Sequence, residues 1–247
     1  MTVLAALAVT GAPSSLAATP LLIWPVDPEI RQDQGSAALW LENRGDQPAM
    51  MQVRIFRWTQ QNGEDRHEDQ QDILPSPPIM TIPPGAKQMV RLTSPLAARP
   101  VGESAYRIIV DEIPTSSGAD TQHQGGAGIR FQMRYSIPLF VHGGQPGGKR
   151  RTRETDKEDF RLHCTLIDRP DGRRVRITNS GANHVRLTNV AFVVKGIDVP
   201  LAKGLLGYVL TGSSMSWPLP KGISGQEPLT MTGPDGHRLT MTACSNE

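Results

Sequence analysis

The sequence predicts an all-β protein of two β-sandwich domains, and three observations carry that prediction. From Leu21 onward the apolar residues recur with a period of two rather than the roughly 3.6 of a helix, as in strands that bury one face. The 24 glycines and 21 prolines fall between short apolar runs, where they read as turns interrupting many brief strands. At 247 residues the chain exceeds the roughly 150 residues of an average domain, so a second domain is expected.

Each element follows from its local pattern. Ala37–Leu41 leads into the turn cluster Asn43-Arg44-Gly45-Asp46, and Met51–Trp58 then alternates as far as Asn62-Gly63, which predicts adjacent antiparallel strands. Pro83-Pro84-Gly85 precedes the strand Gln88–Leu92, and Tyr106–Val110 runs into the stop Glu112-Ile113-Pro114. Six or seven strands spaced by turn signals fit a sandwich of immunoglobulin type. Thr115–Gly128 has no apolar period and reads as a flexible loop. Ile129–Val141 is expected to be one long strand, with Ile129, Phe131, Met133, Tyr135 and Ile137 on one face and Arg130, Gln132, Arg134 and Ser136 on the other; Pro138 limits central-sheet pairing. Gly143–Gly148, followed by Lys149-Arg150-Arg151, reads as a linker, and the acidic Glu154, Asp156, Glu158 and Asp159 that follow cancel its local field. Strands return at Leu162–Ile167, Arg174–Thr178, Val185–Val194 and Leu229–Ala243. The expected domains are therefore residues 19–142 and 159–247, with a linker at 143–158.

Residues 1–18 stand apart from this plan. Val3–Thr10 is apolar, and Ser15-Leu16-Ala17 is a small-x-small pattern suited to signal peptidase, with cleavage expected near Ala17 or Ala18. The stretch lacks a basic start, so an apolar tail is the other reading. Export would place the chain in an oxidising compartment, where Cys164 and Cys244 could pair; two separate buried thiols are the alternative. The formal net charge of +2 is spread over mixed signs, which argues against a nucleic-acid partner.

Little in the sequence suggests catalysis. His67, His123, His142, His163, His184 and His237 make no H-x-x-x-H pair, so no metal site is expected. No G-x-S-x-G elbow, Walker loop or dinucleotide fingerprint occurs. The carboxylates sit mainly in turns and in the Glu64–Asp69 stretch, with no spacing that forces two of them to converge. Neighbours His163 and Cys164 would point to opposite faces of a strand. The remaining signal is the apolar row of Ile129–Val141. A bare row on an edge strand invites pairing with another chain, which suggests binding by β-augmentation.

The same residues carry a resemblance. Asn43, Ser76-Pro77-Pro78, Pro84–Leu92 (PGAKQMVRL), Glu103-Ser104 through Tyr106-Arg107 to Asp111-Glu112-Ile113-Pro114, and Gln132–Phe140 (QMRYSIPLF) occur in the order found in PapD-like periplasmic chaperones of the chaperone–usher pathway. The likeness runs from about Leu21 to Ala243, and Ile23–Pro28 (IWPVDP) with the RYSIPLF tract resembles the archaic branch. The resemblance implies two immunoglobulin-like domains in an L, a periplasmic location, no enzymatic activity and no cofactor. Its partners would be pilus subunits and an outer-membrane usher, with self-association of the free chaperone a further expectation. Ile129, Phe131, Met133 and Tyr135 would be the donor row that completes a subunit's fold. The family's best-known branch anchors the subunit's terminal carboxylate with a basic pair. Here the first strand, Leu21–Trp24, has no arginine, and Pro138 takes the lysine position. Arg107 is the expected substitute and Arg134 the second candidate, against a merely solvated role for Arg107. Arg91, Glu103 and Asp235 match an interdomain ion network. An exported adhesive or structural sandwich protein, and a secreted hydrolase on a β scaffold, are the competing functional readings.

Overall fold

The computed structural model describes residues 20–95, 101–114, 132–143, 161–233 and 236–246. Residues 1–18, the expected loop Thr115–Gly128 and positions 144–158 of the expected linker lie outside them. Every regular element among the described residues is a strand.

The first half runs β1 (Leu21–Trp24), β2 (Glu29–Ile30), β3 (Ser36–Asn43), β4 (Ala49–Gln61), β5 (Glu64–Glu68), β6 (Leu74–Ser76), β7 (Ile79–Ile82), β8 (Lys87–Thr93), β9 (Glu103–Glu112) and β10 (Arg134–His142). These strands make two sheets, ordered β1-β3-β8-β6 and β2-β10-β9-β4-β5, with β7 also on β4. Period-two alternation turns Leu39 and Leu41 of β3 and Val90 and Leu92 of β8 toward Val53, Ile108, Val110 and Leu139 of the opposite sheet, in one buried cluster. Each such side chain contributes roughly 1.5–3 kcal/mol by leaving water.

The second half holds β11 (Leu162–Arg169), β12 (Gly172–Asn179), β13 (Val185–Val194), β14 (Ile197–Pro200), β15 (Leu205–Val209), β16 (Ser214–Pro218), β17 (Leu229–Thr232), β18 (Arg238–Met241) and β19 (Ser245–Asn246). Its sheets are ordered β16-β12-β11-β19 and β14-β13-β17-β18, with β15 on β13, around Val175, Ile177, Leu187, Phe192, Val209 and Leu229. Cys164 and Cys244 form a disulfide with their Cα atoms 4.7 Å apart, tying β11 to the approach to β19.

The two sandwiches share one buried device. The Asn43 side-chain amide donates to the carbonyls of Gln47 (2.7 Å) and Ile82 (2.9 Å), and its Oδ1 accepts the Gly45 N–H at 2.9 Å. Asn179 does the same, donating to Asn183 (2.7 Å) and Val209 (3.0 Å) and accepting from Gly181 at 2.9 Å. Each fully buried asparagine closes the turn after its own strand and ties down the end of a distant one.

Strands β5 and β14–β16 lie outside the elements that the sequence pattern predicts. The acidic stretch Glu64–Glu68, to which the sequence pattern assigned no element, is strand β5: Asn62 (φ 55°) and Gly63 (φ 80°) form the tight turn that folds it back on β4. β14–β16, between Val194 and Leu229, are short and exposed enough to carry no clear alternation.

The halves meet across a third apolar cluster of Trp58, Ala105 and Phe140 from the first sandwich with Tyr208 and Leu210 from the second. The Gln60 side chain donates to the Tyr208 carbonyl and accepts the Leu210 N–H, both at 2.9 Å, and Gly63 bridges to Met215.

Candidate functional site

β10 pairs with β9 along its whole length, from Arg134 opposite Asp111 to His142 opposite Glu103. On its other side the short β2 covers only Phe140 and Val141. From 134 to 139 the outward-facing backbone groups of β10 therefore have no strand beside them among the described residues, which leaves an edge open for another chain.

The apolar row of this strand rises out of its own core. Val141 and Leu139 are fully buried and Ile137 is 7% exposed, all within the first sandwich. Tyr135 is half-buried against the edge of that core, and Met133 reaches 36% exposure. The Met133 carbonyl accepts the Glu112 N–H at 3.1 Å, so pairing with β9 continues beyond the strand's formal start. Of the four expected donor residues, Met133 and Tyr135 thus stand where the row emerges, while Ile129 and Phe131 lie outside the described residues.

The opposite face of the sheet carries the basic candidates. Arg107 pairs with Pro138 on β10 and with Phe56 on β4, and its guanidinium lies 3.7 Å above the Trp58 ring and 5.7 Å from the Tyr208 ring. Burial pulls its pKa below the ordinary arginine value, with Asp65 and Tyr208 pushing back, and a guanidinium so far above neutrality stays charged. It forms no hydrogen bond or ion pair with another described residue, so its planar fork of donors is held by ring contacts alone. Burial also raises the pKa of Tyr208, against the opposing charges of Arg186 and Arg107. Arg134 sits at the other end of β10, 69% exposed, and donates to Asp111 Oδ1 at 2.5 Å. Arg54 donates to Asp111 Oδ2 at 2.6 Å, so Arg134 shares a carboxylate that is already engaged.

Of the three residues expected to form an interdomain network, Arg91 and Glu103 stand on different sheets of the first sandwich. Glu103 does reach the second sandwich: its buried carboxylate accepts the His184 backbone N–H at 2.7 Å and meets His184 Nδ1 at 2.9 Å. His184 in turn stacks on Phe140, and His142 Nδ1 approaches Glu103 at 3.8 Å. Arg91 is exposed on β8 in the other sheet, opposite Ala38 and Ser76, with no ion pair to a described residue. Asp235 lies outside the described residues.

The sequence did not single out Trp58, Gln60, His184 or Tyr208, because their role depends on contacts between halves of the chain far apart in sequence. The one available signal was Trp58, a large aromatic residue on the polar-facing phase of β4. Among the described residues no group of His, Cys, Asp and Glu could hold a metal ion. His163 is exposed while its neighbour Cys164 is buried in the disulfide, so they form no nucleophile and base.

Residues 29–145 match the family described as pili and flagellar-assembly chaperone, PapD N-terminal domain. The CsuC chaperone, solved with the tip adhesion subunit CsuE from archaic chaperone–usher Csu pili of Acinetobacter baumannii, is 29% identical; the alignment covers 92% of this chain and 99% of that one with a TM-score of 0.68. The structure of Salmonella enterica SafA pilin in complex with the SafB chaperone gives 14% identity over 90% of this chain and 96% of that one, with a TM-score of 0.63. The Escherichia coli chaperone DraB gives 16% identity over 93% and 98%, with a TM-score of 0.59. These last two speak for the fold alone. No curated protein sequence matches the chain. The two findings agree: the first sandwich matches the PapD N-terminal chaperone family, and the chain is similar along nearly its whole length to a chaperone of archaic chaperone–usher pili.

Proposed function

We propose that this protein is a periplasmic chaperone that binds pilus subunits by lending them the apolar row of β10, keeps them from premature polymerisation and hands them to an outer-membrane usher. The observation that carries this reading is the gradient along one strand: the row is fully buried at Leu139 and Val141 and reaches 36% exposure at Met133, beside an edge that β2 covers only at Phe140 and Val141 among the described residues. A subunit lacking one strand could accept that edge as its own. Each donor side chain it buried would contribute roughly 1.5–3 kcal/mol, so a few would outweigh the cost of association. Capture of this kind breaks no covalent bond and calls for no nucleotide. A disulfide suits an oxidising compartment such as the periplasm, where the family's members work.

Arg107 is the carboxylate anchor in this reading. Its charge is fixed, its donors are uncommitted among the described residues, and Trp58 and Tyr208 hold it between the two sandwiches. The test is co-expression with the pilus subunit encoded beside the chaperone's own gene. A one-to-one complex is expected, and Arg107→Ala is expected to weaken capture at least about tenfold, the loss of one charge-assisted pair. Unchanged capture by Arg107→Ala removes the anchor. A chain that purifies without any subunit, while the subunit aggregates beside it, removes the function and favours an adhesive or structural module.

A further inference from the structure

We propose that Met133 is a reversible oxidation site through which a hydroperoxide turns subunit capture down. The inference rests on β10 being the capturing strand. Eight of the nine methionines are among the described residues, and they differ sharply in access. Met51, Met80 and Met231 are buried at 2%, 8% and 3% exposure, and Met50, Met89, Met215 and Met241 are half-covered by their sheets. Met133, at 36%, is the only exposed one among them, and it stands at the mouth of the apolar row. Oxidant therefore reaches first the methionine whose polarity matters most for docking.

The chemistry is a two-electron oxygen transfer. The thioether sulfur attacks the outer oxygen of hydrogen peroxide, the O–O bond breaks, an S=O bond forms, and the displaced oxygen leaves as water after a proton transfer. Sulfur is oxidised and peroxide is reduced, with no other reactant required. The product replaces a flexible apolar side chain with a strong hydrogen-bond acceptor. In an apolar subunit groove that oxygen would be buried without a donor, which disfavours docking. The backbone carbonyl of Met133 is tied to the Glu112 N–H, which keeps the residue's main chain beside β9 at the mouth of the row. Methionine sulfoxide reductases reverse the step, so the lesion is repairable.

The full chain is treated with graded hydrogen peroxide, mapped by peptide mass spectrometry, and assayed for capture of the pilus subunit encoded beside its gene. Met133 is expected to gain oxygen before the other seven described methionines. Capture is expected to fall at least about tenfold in step with that modification, and methionine sulfoxide reductase is expected to restore it. Met133→Leu, compared with its own untreated capture, is expected to be insensitive to the same dose. Oxygen appearing first at a half-covered methionine, oxidised Met133 capturing as well as reduced, or Met133→Leu losing capture on peroxide would each overturn the proposal. A separate arm without oxidant uses Tyr135→Ser. If that variant captures as well as wild type, the fault lies in the reading of β10 itself, whereas a peroxide-resistant wild type with a defective Tyr135→Ser sinks only the oxidation site.

Discussion

Asp111 holds the outer face of the sheet together at the open end of β10, and its carboxylate shows how one residue couples charge to stability. Burial alone would raise its pKa, yet hydrogen bonds and charge from Arg134 and Arg54 bring it below the ordinary carboxylate range. A carboxylate whose folded pKa is depressed contributes stability above its unfolded value, about 3.9, and loses it as pH falls through the folded value. Asp111→Asn is therefore expected to lower stability by about 1 kcal/mol at neutral pH, a modest figure because both arginines are largely exposed. In urea unfolding the difference should shrink as pH falls below about 4, the unfolded value; a deficit that persists undiminished in acid would mean packing rather than charge is at stake. Single residues of this kind were unevenly legible in the sequence. Asn43 stood out as part of a motif, whereas Asn179 was visible only as the start of an Asn-Ser-Gly turn. Their identical hydrogen bonds to Ile82 and Val209 depend on which strand end comes to rest beside each turn.

Strands whose one face is buried were legible, because burial imposes alternation. The pattern of β4 reads straight from Met51, Val53 and Ile55, and that of β9 from Tyr106, Ile108 and Val110. Where no face is buried the signal fails. All five residues of β5 are exposed, so nothing in their polarity distinguishes a strand from a turn, and the ladder to β4 and the Asn62-Gly63 turn hold it in place. β10 is the instructive intermediate, since its alternation was plain but its division of labour was not. The burial gradient predicts a split between folding and binding along one strand. Leu139→Ala, at a fully buried position, is expected to cost about 2–5 kcal/mol of stability. Tyr135→Ser, at the rim, is expected to change stability by less than about 1.5 kcal/mol while weakening subunit capture at least about tenfold. Denaturant midpoints and refolding assays on both variants decide it. If Tyr135→Ser unfolds as readily as Leu139→Ala and captures normally, the row belongs to its own domain all the way to its end.

The arrangement of the two sandwiches was the least legible level, because it is built from residues that serve no local pattern. Trp58 and Phe140 sit on the outward phase of their strands and are buried only when Tyr208 and Leu210 arrive from the other half. Glu103 is buried for the same reason, with the His184 backbone and ring as its partners. Gln60 makes the most specific of these contacts. Its amide offers β15 and the residue after it one donor and one acceptor, as a neighbouring strand's peptide would, and it also donates to Asp65 at 2.9 Å. Close approach is permitted by Gly63, where a Cβ would come within 3.1 Å of Ser216 Oγ. Removing the amide leaves the Tyr208 carbonyl and the Leu210 N–H without partners inside the interface, a loss of about 2 kcal/mol or more. Two of the three hydrogen bonds of that amide cross to the second sandwich, so the loss should fall on the coupling between the halves. In differential scanning calorimetry, Gln60→Ala is expected to separate the melting of the two sandwiches further than in the parent protein, with the more stable half keeping its midpoint. Transitions that stay superimposed and unshifted would show that the apolar cluster alone sets the geometry on which Arg107, lying between Trp58 and Tyr208, depends.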